Sequence, residues 1–244
     1  MSSGQHVLIE LFGPDIWLFN GPSVSAMGGF VYPTRMVVIR LADGHLWVWS
    51  PITLTEAVKR EMDELGLVSD IIAPNSLHDL ALSDWHAAYP AARLHAAPGL
   101  AEKRPDLGFD TVLSDEPDPA WAGEIDQVVV PGNAITTETV FHHRASGTIL
   151  FTDLLQQFPP DWFSGWRRWI ARMDGMITDL PAVPKKFRLA FTDRAAARQA
   201  IRRVLDWPAE ALIIAHGQPV RAGAAGILRQ AFAWLKPERA GPQS

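Results

Sequence analysis

Three short apolar runs each end in residues able to do chemistry. The run "IIAPNSLHDL" (71–80) stops at a proline and then offers Asn75, His78 and Asp79; "ILFTDLL" carries Asp153; "IIAHGQPV" carries His216. A β-branched run that ends in turn residues reads as a strand end. Polar residues at the carboxyl ends of strands line sites in many α/β proteins. Two imidazoles, two carboxylates and an amide are the donor set that suits Zn, Mn or Fe. A metal in such a set lowers the pKa of bound water and polarises a carbonyl or phosphoryl oxygen. Each residue also has a structural reading. Asn75 or Asp79 can cap the helix that follows, Asp153 can cap "LLQQF", and His216 before Gly217 can satisfy backbone groups at a turn.

Composition narrows the chemistry. The chain has 244 residues and no cysteine, so disulfides, thiol nucleophiles and thiolate ligands are excluded. Net charge is −5 and no block of like charge is present, which speaks against a nucleic-acid partner. The start, "MSSGQHVLIELFG", has neither a basic region nor a long apolar stretch, so no signal peptide is predicted. No apolar run approaches the roughly 20 residues of a membrane span. The expected compartment is the cytoplasm.

The elements that would position these residues follow from periodicity. "HVLIEL" and "IWLFN" read as opening strands, with a Gly/Ser loop over 21–29. Asp43-Gly44 reads as a tight turn between two β-prone runs. "TLTEAVKREMDELG" reads as a helix capped by Thr53 or Thr55 and ended by Gly66. "VSDIIAP" is a buried strand, and a second helix starts near Leu80 or Ser83. "ARLHAAPG", "EIDQVVVPG", "TETVFHH", "GTILFTDLL" and "EALIIAHGQPV" read as later strands. "PPDWFSGWRRWIARMDGM", "TDRAAARQAIRRVLDW" and "GAAGILRQAFAWL" read as helices. This order predicts mixed sheets with helices outside. The Trp162–Met173 stretch carries aromatics at helical spacing, with Arg167, Arg168 and Arg172 on other faces. It reads as core packing or a homodimer face; a membrane-surface helix ranks last because the whole chain is acidic.

"RMVVIRLADGHLWVWSPITLT", "IIAPNSLHDL" and "IIAHGQPV" together resemble a bacterial domain family of unknown function. That family looks like a divergent branch of the metallo-β-lactamase-fold superfamily, and the resemblance runs from about Val7 to Leu235. It implies an α/β fold: a four-layer αββα sandwich of two mixed β-sheets, as a single domain over 1–244 with a frayed tail from 236.

The superfamily's H-x-H-x-D-H run aligns with "NSLHDL". Asn75 then takes the first His place, Leu77 the second, Asp79 the Asp and Leu80 the last His. The distal His falls at Asn133, the bridging Asp at Asp153 and the final His at His216. Only Asp79, Asp153 and His216 stand at matching places, which speaks against a two-zinc site. The resemblance then implies one divalent metal (Zn, Mn or Fe) held by His78 or Asp79 with Asp153 and His216. Asn75 or Asn133 are in reserve, and whichever of His78 and Asp79 is left over acts as a base or orients water. The implied reaction is hydrolysis of a small ester, thioester, lactone or phosphoester. The competing expectation is a chain that binds no metal and serves as a small-ligand-binding or protein-interaction module.

Overall fold

The computed structural model describes residues 8–236. They form two compact units, divided between Leu113 and Ser114.

The first unit is built on a seven-stranded sheet in sequence order. Strands β1 (Leu8–Gly13), β2 (Ile16–Ser25), β3 (Val31–Arg40) and β4 (Leu46–Trp49) run antiparallel. Helix α1 (Glu56–Leu65) reverses the chain into β5 (Val68–Ala73), which pairs parallel with β4. Helix α2 (Leu82–Ala88), β6 (Arg93–Ala96), α3 (Leu100–Lys103) and the short β7 (Thr111–Val112) extend the parallel half. The local signals in α1 work as read. The Thr55 hydroxyl accepts from the Val58 amide, and Gly66 takes the positive φ of 153° that ends the helix. Val58 and Met62 bury the helix against Val38, Val48 and Ile71 of the sheet. The Trp85 indole, inside the same core, donates to the Ile52 carbonyl at 2.7 Å.

The second unit holds a four-stranded sheet, ordered β11-β10-β9-β8. Its strands are β8 (Ile125–Val130), β9 (Glu138–His143), β10 (Thr148–Gln156) and β11 (Ala211–His216). β8, β9 and β10 are antiparallel, and β11 lies parallel to β10. The β10–β11 crossover carries α4 (Gly165–Asp174), α5 (Lys185–Ala190) and α6 (Arg194–Asp206). Helix α7 (Ala224–Phe232) closes the unit. Asp193 caps α6 by accepting from the Ala196 amide at 2.9 Å. Phe151 and Ile214 of the sheet share one core with Phe187, Ile201, Leu228 and Phe232 of the helices.

The departures from the sequence reading have local causes. The expected loop over 21–29 is strand as far as Ser25, because pairing with β3 resumes at Val24↔Tyr32 past a register shift. The helix read from "PPDWFSGW" begins only at Gly165. Two prolines lack donors, and the Trp162 amide closes a turn onto the Pro159 carbonyl instead. The second helix starts at Leu82, between the two starts expected. β7 and α5 are too short to leave a periodic trace. The tail expected to fray lies, past Lys236, outside the described residues, as do His6 and Val7 of the first strand.

Candidate metal centre

Asp153 lies in the second half of β10 and His216 at the end of the neighbouring β11, and both are buried. The Asp153 Oδ1 is 3.4 Å from the His216 Nε2. The β10–β9 ladder stops at Leu150↔Phe141, and the β10–β11 register shifts between Phe151 and Gln156. Asp153 therefore sits where regular pairing has ended. The side chain of Glu138 takes over as acceptor. Its Oε1 accepts from the Thr152 amide at 2.7 Å, and its Oε2 accepts from the Asp153 and Leu154 amides at 2.9 Å each. Burial and the nearby charge of Asp153 push the Glu138 carboxyl up to about 7, against the opposing pull of the amides. On the His216 side, the Gln157 amide donates to the His216 carbonyl at 2.9 Å. A Cβ on Gly217 would meet the Gln157 carbonyl at 2.8 Å and Ile214 Cδ1 at 2.5 Å, so only glycine fits after the histidine.

The loop after β5 is organised differently. Asn75 Oδ1 accepts from the Leu77 and His78 amides at 2.8 and 3.2 Å, which makes the residue a cap of its own turn. Asp79 is held by cations: Lys103 Nζ at 3.1 Å and Arg104 Nη1 at 3.6 Å. The same two side chains also bond the Ser76 and Asp79 carbonyls. His78 is oriented by Ser50, whose hydroxyl lies 2.7 Å from Nδ1. Ser50 directly follows β4 and adopts a φ of 54°, a left-handed conformation that costs a non-glycine residue about 1 kcal/mol. Its buried amide is fixed on the Ile72 carbonyl. Such strain persists where surrounding structure holds it, often at functional sites.

Within the second unit, Asp153 and His216 pair a buried carboxylate with a buried imidazole, both of them metal-ligand chemistry. Within the first unit, Asn75 and Asp79 are spent on their own loop and His78 keeps one ring nitrogen on Ser50. Asn133 is also spent on backbone: its amide donates to the Phe187 carbonyl and accepts from the Ile135 amide. Sequence reasoning missed Ser50 and Glu138. A serine straight after the strand "LWVW" offered a signal of the same kind as the other strand ends; a glutamate inside "TETVFHH" offered none.

Residues 14–163 match a family described as a domain of unknown function (DUF4336). No curated protein matches the chain in sequence. Solved structures match over nearly its whole length. A metallo-β-lactamase from Pontibacter korlensis is 11% identical with a TM-score of 0.63, over 96% of this chain and 100% of that one. The FIM-1 metallo-β-lactamase of Pseudomonas aeruginosa, in its mono-zinc form, is 10% identical with a TM-score of 0.62, over 93% and 95%. The metal-soaked Flv1 flavodiiron core of Synechocystis is 14% identical with a TM-score of 0.64, over 94% of this chain and 61% of that one. At these identities the likeness is one of fold. The two mixed sheets have the metallo-β-lactamase fold.

Proposed function

The chain belongs to the DUF4336 family and has a metallo-β-lactamase fold, and from that premise we propose a hydrolase with a single-metal site for which Asp153, His216 and His78 are the candidate ligands. The observation that carries this reading is the buried pair of Asp153 and His216, whose Oδ1 and Nε2 lie 3.4 Å apart. The donor set fits Zn, Mn or Fe, and three protein ligands leave a position for water. A divalent ion bound there supplies an activated water and polarises the scissile bond of an ester, thioester, lactone or phosphoester. The chain's own residues hold the frame. Ser50 engages Nδ1 of His78 and so leaves Nε2 as the ligand atom. Glu138 fixes the backbone that carries Asp153. Asp79 stands at a ligand position in the superfamily pattern. Neutralised by Lys103 and Arg104, it suits loop holding better than ligation. The FIM-1 enzyme, solved in a mono-zinc form, is a precedent for this fold holding a single ion.

A second reading is favoured by one observation: Asn75, Leu77, Leu80 and Asn133 stand where the superfamily pattern has four histidines. The chain would then be a descendant that binds a small ligand without hydrolysing it. Elemental analysis of untagged protein, dialysed and then reconstituted with Zn, Mn or Fe, separates the two. About one equivalent of metal, lost in His216→Ala, supports the hydrolase and justifies a screen of the four ester classes. No retained metal rejects it.

A further inference from the structure

A surface helix of a globular protein normally turns its apolar stripe toward the core. Helix α4 does the reverse. Its only buried residue is Ala171. Trp166 is 54% exposed, Trp169 64%, Ile170 37% and Met173 51%. At about 100° per residue these four side chains share an arc of about 100°, on the side opposite Ala171. Trp162, just before the helix, is 39% exposed as well. Single exposed apolar residues need no explanation, but a contiguous aromatic stripe facing outward marks a contact surface.

The charges around the stripe identify the partner. Arg167 flanks it on one side and Arg172 on the other; Arg168 lies nearer the inward side of Ala171, with its Nε buried. Residues 159–190 hold six Lys and Arg against three Asp, a net +3 in a chain of −5, which leaves −8 for the rest. The sequence reading set a membrane surface aside on total charge, yet the segment that carries the stripe is basic. The sole acid of α4, Asp174, is already engaged: it accepts from the Lys186 amide at 2.7 Å and lies 4.0 Å from its Nζ.

We propose that α4 docks on an anionic bilayer surface, with Trp166, Trp169, Ile170 and Met173 at the acyl boundary and Arg167 and Arg172 on lipid phosphates. Tryptophan favours that boundary, and arginine reaches back from it to the phosphates. Among the described residues no helix is long and apolar enough to cross a membrane, so α4 lies in the surface plane. A second copy of the chain fits less well. An isologous contact would set the same arginines against one another with no free acid on α4 to receive them. This surface is independent of the metal site.

The test is co-sedimentation of the full chain with vesicles of phosphatidylcholine alone and of phosphatidylcholine with phosphatidylglycerol, at low and high salt. Binding to the anionic vesicles alone, weakened by salt, is expected. At about fivefold per basic residue, Arg167→Gln/Arg172→Gln should bind about 25-fold more weakly. Trp166→Ala/Trp169→Ala should also release the protein, and circular dichroism reports whether either variant stays folded. Absence of binding to anionic vesicles overturns the proposal, as does binding that folded variants retain in full. A dimer by light scattering that Trp169→Glu dissolves, with no vesicle binding, also overturns it and gives the face to a second copy.

Discussion

Asp79 and Asp153 are both buried, one in the loop that follows β5 and the other on β10 beyond its ladder with β9. Their surroundings differ in sign. Asp79 faces Lys103 and Arg104, so its charge is balanced by the protein itself. Asp153 faces the His216 imidazole and feels the carboxyl of Glu138 behind it. A balanced carboxylate gains little from a dication, while one grouped with an imidazole and a second acid is stabilised by one. The superfamily pattern treats both aspartates as ligands. On the proposed reading, electrostatics separates them into a loop anchor and a ligand.

The largest expected effects break the comparison on the Asp153 side. Asp153→Asn and His216→Ala should each reduce bound metal from about one equivalent to a small fraction, since three ligands are the minimum for such a site. Elemental analysis with an unfolding curve checks this; full metal retention in either folded variant sinks the ligand assignment. Next comes Glu138→Ala. It leaves three amides without their acceptor in a fully buried place, so stability should fall by about 3 kcal/mol or more. Urea unfolding measures it, and a loss under about 1 kcal/mol would mean that the amides find other acceptors.

Asp70 sharpens the comparison, because it is a second structural aspartate on β5. It is buried and accepts from His95 Nε2 and Arg93 Nη2, each at 2.8 Å. Burial raises its pKa, but bonds from His95 and Ser69 and the Arg93 charge outweigh that and hold it below the usual value. A depressed carboxylate stabilises the fold above its unfolded pKa of about 4 and loses that contribution as pH falls through the folded value. Asp70→Asn should therefore cost about 2 kcal/mol at neutral pH and progressively less in acid. Unfolding curves at both pH values decide it; an equal loss at each would remove the charge from the account.

What the sequence could show was local. Strand ends at Ala73, the Asp153 region and His216 follow from β-branched runs and turn residues, so His78, Asp153 and His216 were all legible as candidates. The Asp79 environment was not, because Arg104 lies 25 residues on and arrives through the fold. The role of Glu138 depends on where the β9–β10 ladder stops, which no alternation pattern states. In α4 the stripe was legible, but its direction was not. Spacing places Trp166 and Trp169 on one face; only tertiary packing determines that Ala171 is the residue that faces inward.

The smallest expected effect is the most discriminating. Asp79→Asn keeps the shape of the side chain and removes the charge that Lys103 and Arg104 balance. The pair with Lys103 is half exposed on the lysine side, at 48%, so solvent screens it and the loss should be about 1 kcal/mol. Metal content should not change, because Lys103 and Arg104 already balance the Asp79 carboxylate. If Asp79→Asn instead empties the site while Asp153→Asn leaves it filled, the assignment of the two aspartates is reversed. Lys103 and Arg104 would then have to move away from Asp79 when metal binds. Lys103→Ala distinguishes the cases further: with Asp79 as anchor it loosens the loop and leaves metal affinity nearly unchanged, whereas with Asp79 as ligand it frees the carboxylate and tightens metal binding.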